Sequence, residues 1–268
     1  MLDLVVLGLV QGLTEFLPIS SSAHLLFVEH YLGIPRPGLV LEAVLHLGTA
    51  AAAILMFWPD VVRLLRALPA VIARPASVFR GAANPDGRMA AVILVATALT
   101  GALGLAFAGP LEQTFLSVRG TAYQLMVTGL ILLAGRERGQ RAAGEATLRD
   151  GVVMGLAQAA AIIPGISRSG ATIVAGIGSG LRRTEAARLS FLMAIPAILG
   201  AGAFAMKDAG EAVQLGYAPL QLLAGAITAA IFGALAIRWL LEIVRRGRLL
   251  YMSLYCWAVG LVVLATAR

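Results

Sequence analysis

QGLTEFLPISSSAH, from Gln11 to His24, and QAAAIIPGISRSGAT, from Gln158 to Thr172, are the two polar stretches on which the predicted fold depends. Each contains a proline, which interrupts a helix, and several side chains with hydroxyl or ionisable groups. The sequence around both is apolar enough to lie in a membrane. Because ionisable side chains are costly at membrane depth and usually mark a functional site there, Glu15, His24 and Arg168 are the first candidates for function.

The composition indicates an integral membrane protein. The 268 residues are 59% hydrophobic and 13% charged, with a mean hydropathy of +0.88, which excludes an ordinary soluble domain. The net charge of +7 is mostly arginine, scattered between apolar segments without interleaved aromatic residues, so we expect no binding to nucleic acid. The first ten residues lack a basic start and a small-residue cleavage site, and we expect them to remain in the mature protein.

Six segments are long and apolar enough to span a bilayer, which takes about 20 residues. They are Leu39 to Trp58, Arg88 to Ala108, Gly120 to Ala134, Ala186 to Met206, Pro219 to Leu241 and Leu249 to Ala265. Residues 1–32 and 151–181 are also apolar, but Leu17-Pro18 and Pro164-Gly165 interrupt them, so each half is too short to cross. Both regions are predicted to be re-entrant helical hairpins, which membranes tolerate where the irregular backbone is buried in protein or lines a wet cavity.

The arginines predict an orientation in the membrane. They cluster in the connections after several spans, at Arg63, Arg66, Arg74, Arg80, Arg136, Arg138, Arg141, Arg149, Arg182, Arg183, Arg245, Arg246 and Arg248. The connections at 109–119 and 207–217 are nearly neutral. If the arginine-rich connections face the cytoplasm, both termini lie outside, and the hairpins enter from opposite sides. Residues 61–71 could then form a basic helix lying in the membrane interface.

An internal repeat is consistent with that orientation. Ile19-Ser20-Ser21-Ser22 aligns with Ile166-Ser167-Arg168-Ser169 when the chain is shifted by 147 positions, and the same shift pairs Gln11 with Gln158. The predicted fold is therefore an all-α polytopic membrane protein, forming one membrane domain from an inverted-topology repeat with six spanning helices and two re-entrant hairpins. Residues 1–146 form the first repeat and residues 147–268 the second, each with a hairpin followed by three spans. Such repeats bring broken helices together near the midplane of the bilayer.

The first stretch carries groups that can hold a cation and move a proton. Gln11 and Glu15 are four residues apart and project from one face of a helix. Pro18 ends that helix, and the next one begins near three serines and a histidine, namely Ser20, Ser21, Ser22 and His24. A carboxylate, hydroxyls and an imidazole can bind a divalent cation and transfer protons. The alternative is structural, with serines that only cap the helix and an internally paired Glu15.

The second stretch has the features of an anion site. A helix start attracts anions through its free N–H groups, and Arg168 adds a planar cationic fork that suits phosphate. The supporting residues are Gly165, Ser167, Ser169, Gly170 and Thr172. Glycine and serine at a membrane helix end also favour close helix packing, which is the structural alternative. Together the two stretches predict a site for a phosphate ester or anhydride on a lipid-soluble carrier.

EFLPISSSAH and PGISRSGAT resemble the two signature regions of the bacterial undecaprenyl-diphosphate phosphatases of the bacitracin-resistance type. The resemblance extends across essentially the whole chain, including LHLGT at Leu45 to Thr49 and FLMAIPAILGAG at Phe191 to Gly202. It implies removal of the terminal phosphate from a C55 lipid diphosphate, which recycles the lipid carrier for peptidoglycan synthesis and gives bacitracin resistance on overproduction. It also implies a divalent cation, Mg²⁺ or Ca²⁺, and a multi-pass protein of the bacterial cytoplasmic membrane whose site opens to the periplasmic face.

The resemblance assigns roles to individual residues. The catalytic residues are Glu15, Ser21, His24 and Arg168; the substrate-binding residues are Ser20, Ser22, Gly165, Ser167, Ser169, Gly170 and Thr172. Glu15 is the metal ligand, with Gln11 as a second candidate, although glutamine there removes a second carboxylate. The nucleophile is either Ser21 activated by His24, or a water activated by Glu15 or His24.

Other functions and residues remain open. A transporter or flippase of polyprenyl phosphate is the main rival function, because inverted repeats with broken helices are typical of transporters. The predicted partners are the lipid diphosphate and the bilayer, and a homodimer is compatible with the sequence. Glu42 and His46 share a helix face, and we favour a structural hydrogen bond there over contact with the site. Glu29 and His30, near the exit of the first hairpin, are expected to be solvated.

Overall fold

The computed structural model describes residues 2–34, 38–75, 78–79, 84–107, 117–136, 139–205 and 218–267. Within these ranges the chain forms α-helices and short turns, without a β-strand. The helices are α1 (Leu2–Phe16), α2 (Ser21–Leu32), α3 (Gly38–Met56), α4 (Trp58–Ala73), α5 (Pro85–Ala106), α6 (Val118–Leu133), α7 (Leu148–Ala160), α8 (Arg168–Gly178), α9 (Arg183–Ala205), α10 (Pro219–Arg245) and α11 (Leu249–Thr266). The all-α prediction is confirmed.

The apolar helices make this a multi-pass membrane protein. Among the described residues, α5, α9, α10 and α11 are each long and apolar enough to cross a bilayer. A fifth crossing is counted if α3 and α4, bent by 89° at their junction, are taken as one span. Helix α6 is apolar but has only 16 residues. The polytopic class is thus confirmed, whereas the number of six spans stays a prediction.

Helix α4 contains the segment predicted to lie in the membrane interface. It begins with Pro59 in its first turn and turns sharply away from α3. Its apolar face, with Leu68 and the buried Val71, packs against Ala90 and Ala91 of α5. Arg66 stays exposed on the opposite side. The amphipathic helix is present, although Arg80, Arg138 and most of the predicted neutral connections lie outside the described residues.

Both predicted helix breaks occur at the prolines. Helix α1 ends before Pro18 and α2 begins at Ser21, while α7 ends before Pro164 and α8 begins at Arg168. The two second helices start alike. Ser20 caps α2 by accepting a hydrogen bond from the backbone of Ala23, and Ser167 caps α8 in the same way. Each capping hydroxyl also lies near the hydroxyl two residues later, at 3.1 Å for Ser20 and 3.2 Å for Ser167.

Each half of the chain packs its first broken helix against the other half. Helix α1 lies along α10, and a Cβ added at Gly12 would come within 2.7 Å of the carbonyl oxygen of Ala229. Helix α7 lies along α5, where a Cβ at Gly155 would come within 2.8 Å of the Cα of Ala96. Small residues at these crossings let the backbones touch. This reciprocal packing of α1 on α10 and of α7 on α5 is consistent with an internal repeat. The repeat boundary and the opposite orientations of the two halves stay predictions.

A partly buried ion pair between Arg141 and Asp150 connects residues 139–147 to the second hairpin. The guanidinium of Arg141 donates two hydrogen bonds to the carboxylate of Asp150, at 2.8 and 2.9 Å. Burial alone would raise the pKa of Asp150, but the hydrogen bonds from Arg141 and Thr147 outweigh it and hold that pKa below its ordinary value. A lowered folded-state pKa means that the pair stabilises the fold at neutral pH and that this contribution is lost below about pH 4.

Candidate active site

The tips of the two hairpins meet inside the protein. The hydroxyl of Ser169 donates to the carbonyl oxygen of Leu17 at 3.1 Å, and the backbone N–H of Gly165 donates to the Ser22 hydroxyl at 3.5 Å. A Cβ added at Gly170 would lie 3.3 Å from Pro18. The two polar stretches that were singled out in the sequence therefore face each other.

A buried carboxylate, that of Glu15, joins the two tips. Its side chain is 4% exposed and has partners on both oxygens. One oxygen, Oε1, accepts a charged hydrogen bond from Arg168. The other, Oε2, accepts from the hydroxyl of Ser21 at 2.6 Å and from the amide of Gln11 at 2.9 Å. Three of the four predicted catalytic residues are thus in direct contact.

Local helix geometry explains this cluster. Gln11 and Glu15 lie one turn apart at the end of α1, so their side chains share a face. Ser21 and Arg168 are the first residues of α2 and α8, and they occupy equivalent places in the aligned stretches. Helix starts carry partial positive charge, which favours a carboxylate beside them. The arginine makes the pairing strong enough to keep an ionised group buried.

His24 lies outside this cluster. Its Nδ1 donates to the carbonyl oxygen of Ser20 at 2.8 Å, so its Nε2 is free to accept from the hydroxyl of Tyr255 at 2.9 Å. The two rings stack with centroids 5.6 Å apart and planes inclined by 9°. The Ser21 hydroxyl donates to Glu15 instead. The structure therefore places a carboxylate where the sequence-based hypothesis had His24 activating Ser21.

Strain is concentrated at the start of α2. Ser20 has φ 67° and ψ 102°, and it is the one non-glycine residue with positive φ in the described part of the chain. That conformation is unfavourable for a residue with a Cβ and is typically retained at functional sites. It directs the Ser20 carbonyl toward the imidazole of His24. The strained residue thus connects the helix cap to the histidine.

The predicted substrate-binding hydroxyls of the second hairpin have protein partners. Ser167 caps α8, and Ser169 bridges to the first hairpin. Thr172 is fully buried, donates to the carbonyl oxygen of Arg168 at 2.7 Å and lies 2.6 Å from the Ser190 hydroxyl. In this arrangement they hold the start of α8 in place. Their contact with substrate, and that of Ser20 and Ser22, stays a prediction.

The turn before α8 needs glycine. Gly165 has φ +92°, and a Cβ there would come within 2.6 Å of the Thr121 carbonyl oxygen. Thr128 of α6 clamps the same turn, donating to the Gly165 carbonyl at 2.7 Å and accepting from the Ser167 N–H at 2.9 Å. Thr128 was not predicted, since a threonine in an apolar helix gives no functional signal by itself.

Two further side chains reach the site from distant helices. Nε2 of His46, on α3, lies 3.5 Å from Oε2 of Glu15. The prediction that His46 makes a structural hydrogen bond and does not contact the site is therefore wrong. Tyr255 of α11 contacts His24, as described above. The LHLGT segment was a signal for His46, whereas no motif pointed to Tyr255. Near the hairpin exit, Glu29 is only 4% exposed, which contradicts the expected solvation, whereas His30 is exposed as expected.

The residues around Glu15 fit a cation that takes only some of its ligands from the protein. In the described part of the chain, no three side chains among His, Cys, Asp and Glu converge as a metal site. However, Oε1 of Gln11 is a buried amide oxygen that has no hydrogen-bond partner among the described residues, and the nitrogen of the same amide donates to Glu15. Mg²⁺ and Ca²⁺ prefer such oxygen ligands, and Mg²⁺ usually completes its shell with water and substrate phosphate. The donor set therefore suits a cation shared with a bound phosphate.

Known proteins resemble this chain along nearly its whole length. The family model of the bacitracin resistance protein BacA matches residues 4–262. The undecaprenyl-diphosphatase of Moorella thermoacetica is 40% identical over 261 residues, covering 95% of this chain and 93% of that protein. The undecaprenyl-diphosphatase of Methanobrevibacter smithii is 39% identical over 267 residues, covering 97% and 95%. This chain belongs to the BacA family of bacitracin resistance proteins.

Proposed function

We propose that this protein is a membrane phosphatase that hydrolyses undecaprenyl diphosphate to undecaprenyl phosphate and inorganic phosphate. Relatives that are named for that activity align with almost the full length of this chain. The observation that carries the proposal is the buried Glu15 carboxylate, which holds a serine hydroxyl on one oxygen and an arginine on the other. The arginine-rich connections support a site that opens to the periplasmic face of a bacterial cytoplasmic membrane.

Arg168 is the residue that receives the diphosphate. Its side chain is 17% exposed, so an incoming phosphate can reach the guanidinium. Phosphate competes with Glu15 for that guanidinium, because both are anions that match its planar fork. As the phosphate takes Arg168, the Oε1 atom of Glu15 loses its partner and becomes a stronger base. Substrate binding thereby activates the carboxylate.

Ser21 and Glu15 carry out the first transfer. The Ser21 oxygen attacks the terminal phosphorus while its proton passes to Glu15, to which it already donates at 2.6 Å. The bond from that phosphorus to the bridging oxygen breaks, and undecaprenyl phosphate leaves with the bond's electrons. Phosphoryl transfer asks mainly for positioning and charge stabilisation, and Arg168 with the start of α8 supplies both.

Water completes the cycle. It attacks the phosphoserine, with Glu15 as the base that accepts its proton, and releases inorganic phosphate while the serine hydroxyl is restored. In the alternative course, Glu15 activates water for direct attack and Ser21 only orients the carboxylate. A divalent cation held by Glu15 and Gln11 would add positive charge against the phosphate oxygens.

Phosphate release from undecaprenyl diphosphate by the purified protein in detergent, with Mg²⁺ or Ca²⁺ present, tests the proposal. We expect release by the wild type, a loss of about 100-fold or more in Arg168→Ala, and a partial loss in Arg168→Lys, which keeps charge but not the fork. Arg66→Ala, an exposed arginine on α4, is the matched control and should act as wild type. A folded wild type that binds the lipid without releasing phosphate would point to a carrier of the lipid instead.

A further inference from the structure

Gln11 and His46 both lie beside Oε2 of Glu15, and the amide nitrogen of Gln11 donates to that oxygen. Oε1 of Gln11 is buried and has no hydrogen-bond partner among the residues that the structure describes. Nε2 of His46 lies 3.5 Å from Oε2 of Glu15 and makes no hydrogen bond in the described part of the chain. A buried acceptor without a partner, such as Oε1 of Gln11, is uncommon and calls for a missing proton, water or cation.

The hydrogen bond made by Nδ1 of His46 indicates whether Nε2, which faces the carboxylate, carries a proton in the neutral ring. Nδ1 lies 2.7 Å from the carbonyl oxygen of Glu42, one turn earlier on α3. A carbonyl only accepts, so Nδ1 carries the proton, and in the neutral ring Nε2 presents a lone pair to Glu15. A histidine whose other nitrogen donates to a backbone carbonyl has the orientation typical of metal-binding histidines.

The two oxygens of Glu15 face groups of different charge. Arg168 contacts Oε1, whereas the described residues that face Oε2 are the neutral donors Ser21 and Gln11 together with the imidazole of His46. His46 is 29% exposed, so its free nitrogen can be reached by a metal ion and by the phosphate that accompanies it. The Oε1 side of the carboxylate, where Arg168 can receive an anion, is thus separate from the Oε2 side, where a cation would bind.

We propose that His46 is a protein ligand of the divalent cation, together with Glu15 and the amide oxygen of Gln11, whose amide must turn over because its nitrogen faces Glu15 in the structure. This inference rests on the proposed function, which supplies the diphosphate whose oxygens complete the coordination shell. A nitrogen ligand is poorly suited to Ca²⁺, which takes oxygen ligands, and better suited to first-row transition metals. His46 therefore shifts the preference of the site from Ca²⁺ toward Mn²⁺.

Mn²⁺ binding tests this ligand directly. The probe is Mn²⁺ with methylene diphosphonate, a diphosphate that cannot be hydrolysed, and free Mn²⁺ is measured by electron paramagnetic resonance. We expect His46→Gln to weaken Mn²⁺ binding at least about tenfold and to weaken Ca²⁺ competition less. His30→Gln, an exposed histidine on α2, is the control and should bind Mn²⁺ like the wild type. Unchanged Mn²⁺ binding in His46→Gln would overturn the proposal and leave His46 as an ion-pair partner of Glu15.

A second measurement needs no variant. Electron spin-echo modulation of Mn²⁺ bound to the wild type detects a coordinated imidazole nitrogen, and we expect that signal. Its absence from a bound Mn²⁺, or a failure of the wild type to bind Mn²⁺, would overturn the proposal even if phosphate release is normal. Conversely, a nitrogen-coordinated Mn²⁺ in a protein that releases no phosphate would keep the metal ligand and contradict the phosphatase.

Discussion

Glu15 connects residues from four helices at a single carboxylate. Ser21 and Gln11 contact it from the first hairpin, Arg168 from the second and His46 from α3. An ionisable group at membrane depth is itself a strong functional signal, so Glu15 and Arg168 were predictable from sequence. His46 and Tyr255 gave weak signals or none, because contacts between distant helices depend on packing that residue type alone does not specify.

Tyr255→Phe tests whether the contact with His24 matters for activity. The substitution keeps the stacked ring and removes only the hydroxyl that His24 Nε2 accepts. We expect kcat/KM to fall about fivefold, as the loss of about one hydrogen bond implies, with an altered pH profile and an unchanged thermal midpoint. Tyr251→Phe, an exposed tyrosine one turn earlier on α11, is the control. Wild-type kcat/KM and pH profile in Tyr255→Phe would show that the hydroxyl is dispensable.

At the level of helices, the proline breaks were predictable and the packing partners were not. Pro18 and Pro164 end α1 and α7 where expected, because proline removes a backbone donor and clashes with the preceding turn. At the 89° turn between α3 and α4, Pro59 lies in the first turn of α4, where its missing N–H has no helical partner to lose, so it favours the start of a new helix there. The partner of α1 is α10, far along the chain, and local patterns do not encode such a choice.

Gly12→Ala tests the crossing that fixes α1. The new methyl group would lie 2.7 Å from the Ala229 carbonyl oxygen and 2.9 Å from the Gly233 backbone nitrogen, so the helices must separate. We expect a lower thermal midpoint in detergent, by roughly 1–3 kcal/mol of stability, and reduced activity because Glu15 is on the same helix. Gly101→Ala on α5 is the control, since no atom lies within 4 Å of its added Cβ, and helix propensity favours alanine there. An unchanged midpoint in Gly12→Ala would contradict the close crossing.

Across the whole molecule, the two aligned stretches supply different chemistry to one site. The first provides Glu15 and Ser21, and the second provides Arg168 at the position equivalent to Ser21. The equivalent of Gln11, Gln158, donates instead to Thr100 at 3.1 Å, and the equivalent of Glu15 is the apolar Ile162. This asymmetry was predictable from the aligned stretches. The number of spans was not, because α6 is apolar but short and α3 runs into the bend with α4.

The most direct test of the account is acid-quench trapping with undecaprenyl diphosphate labelled in its terminal phosphate. We predict that label appears on Ser21 of the wild type during turnover, and that Glu15→Gln neither becomes labelled nor turns over, because it cannot accept the serine proton. Ser21→Ala should lose both the label and about 10²-fold or more of the turnover. An unlabelled wild type, together with a Ser21→Ala variant that turns over at a near-normal rate, would contradict the account.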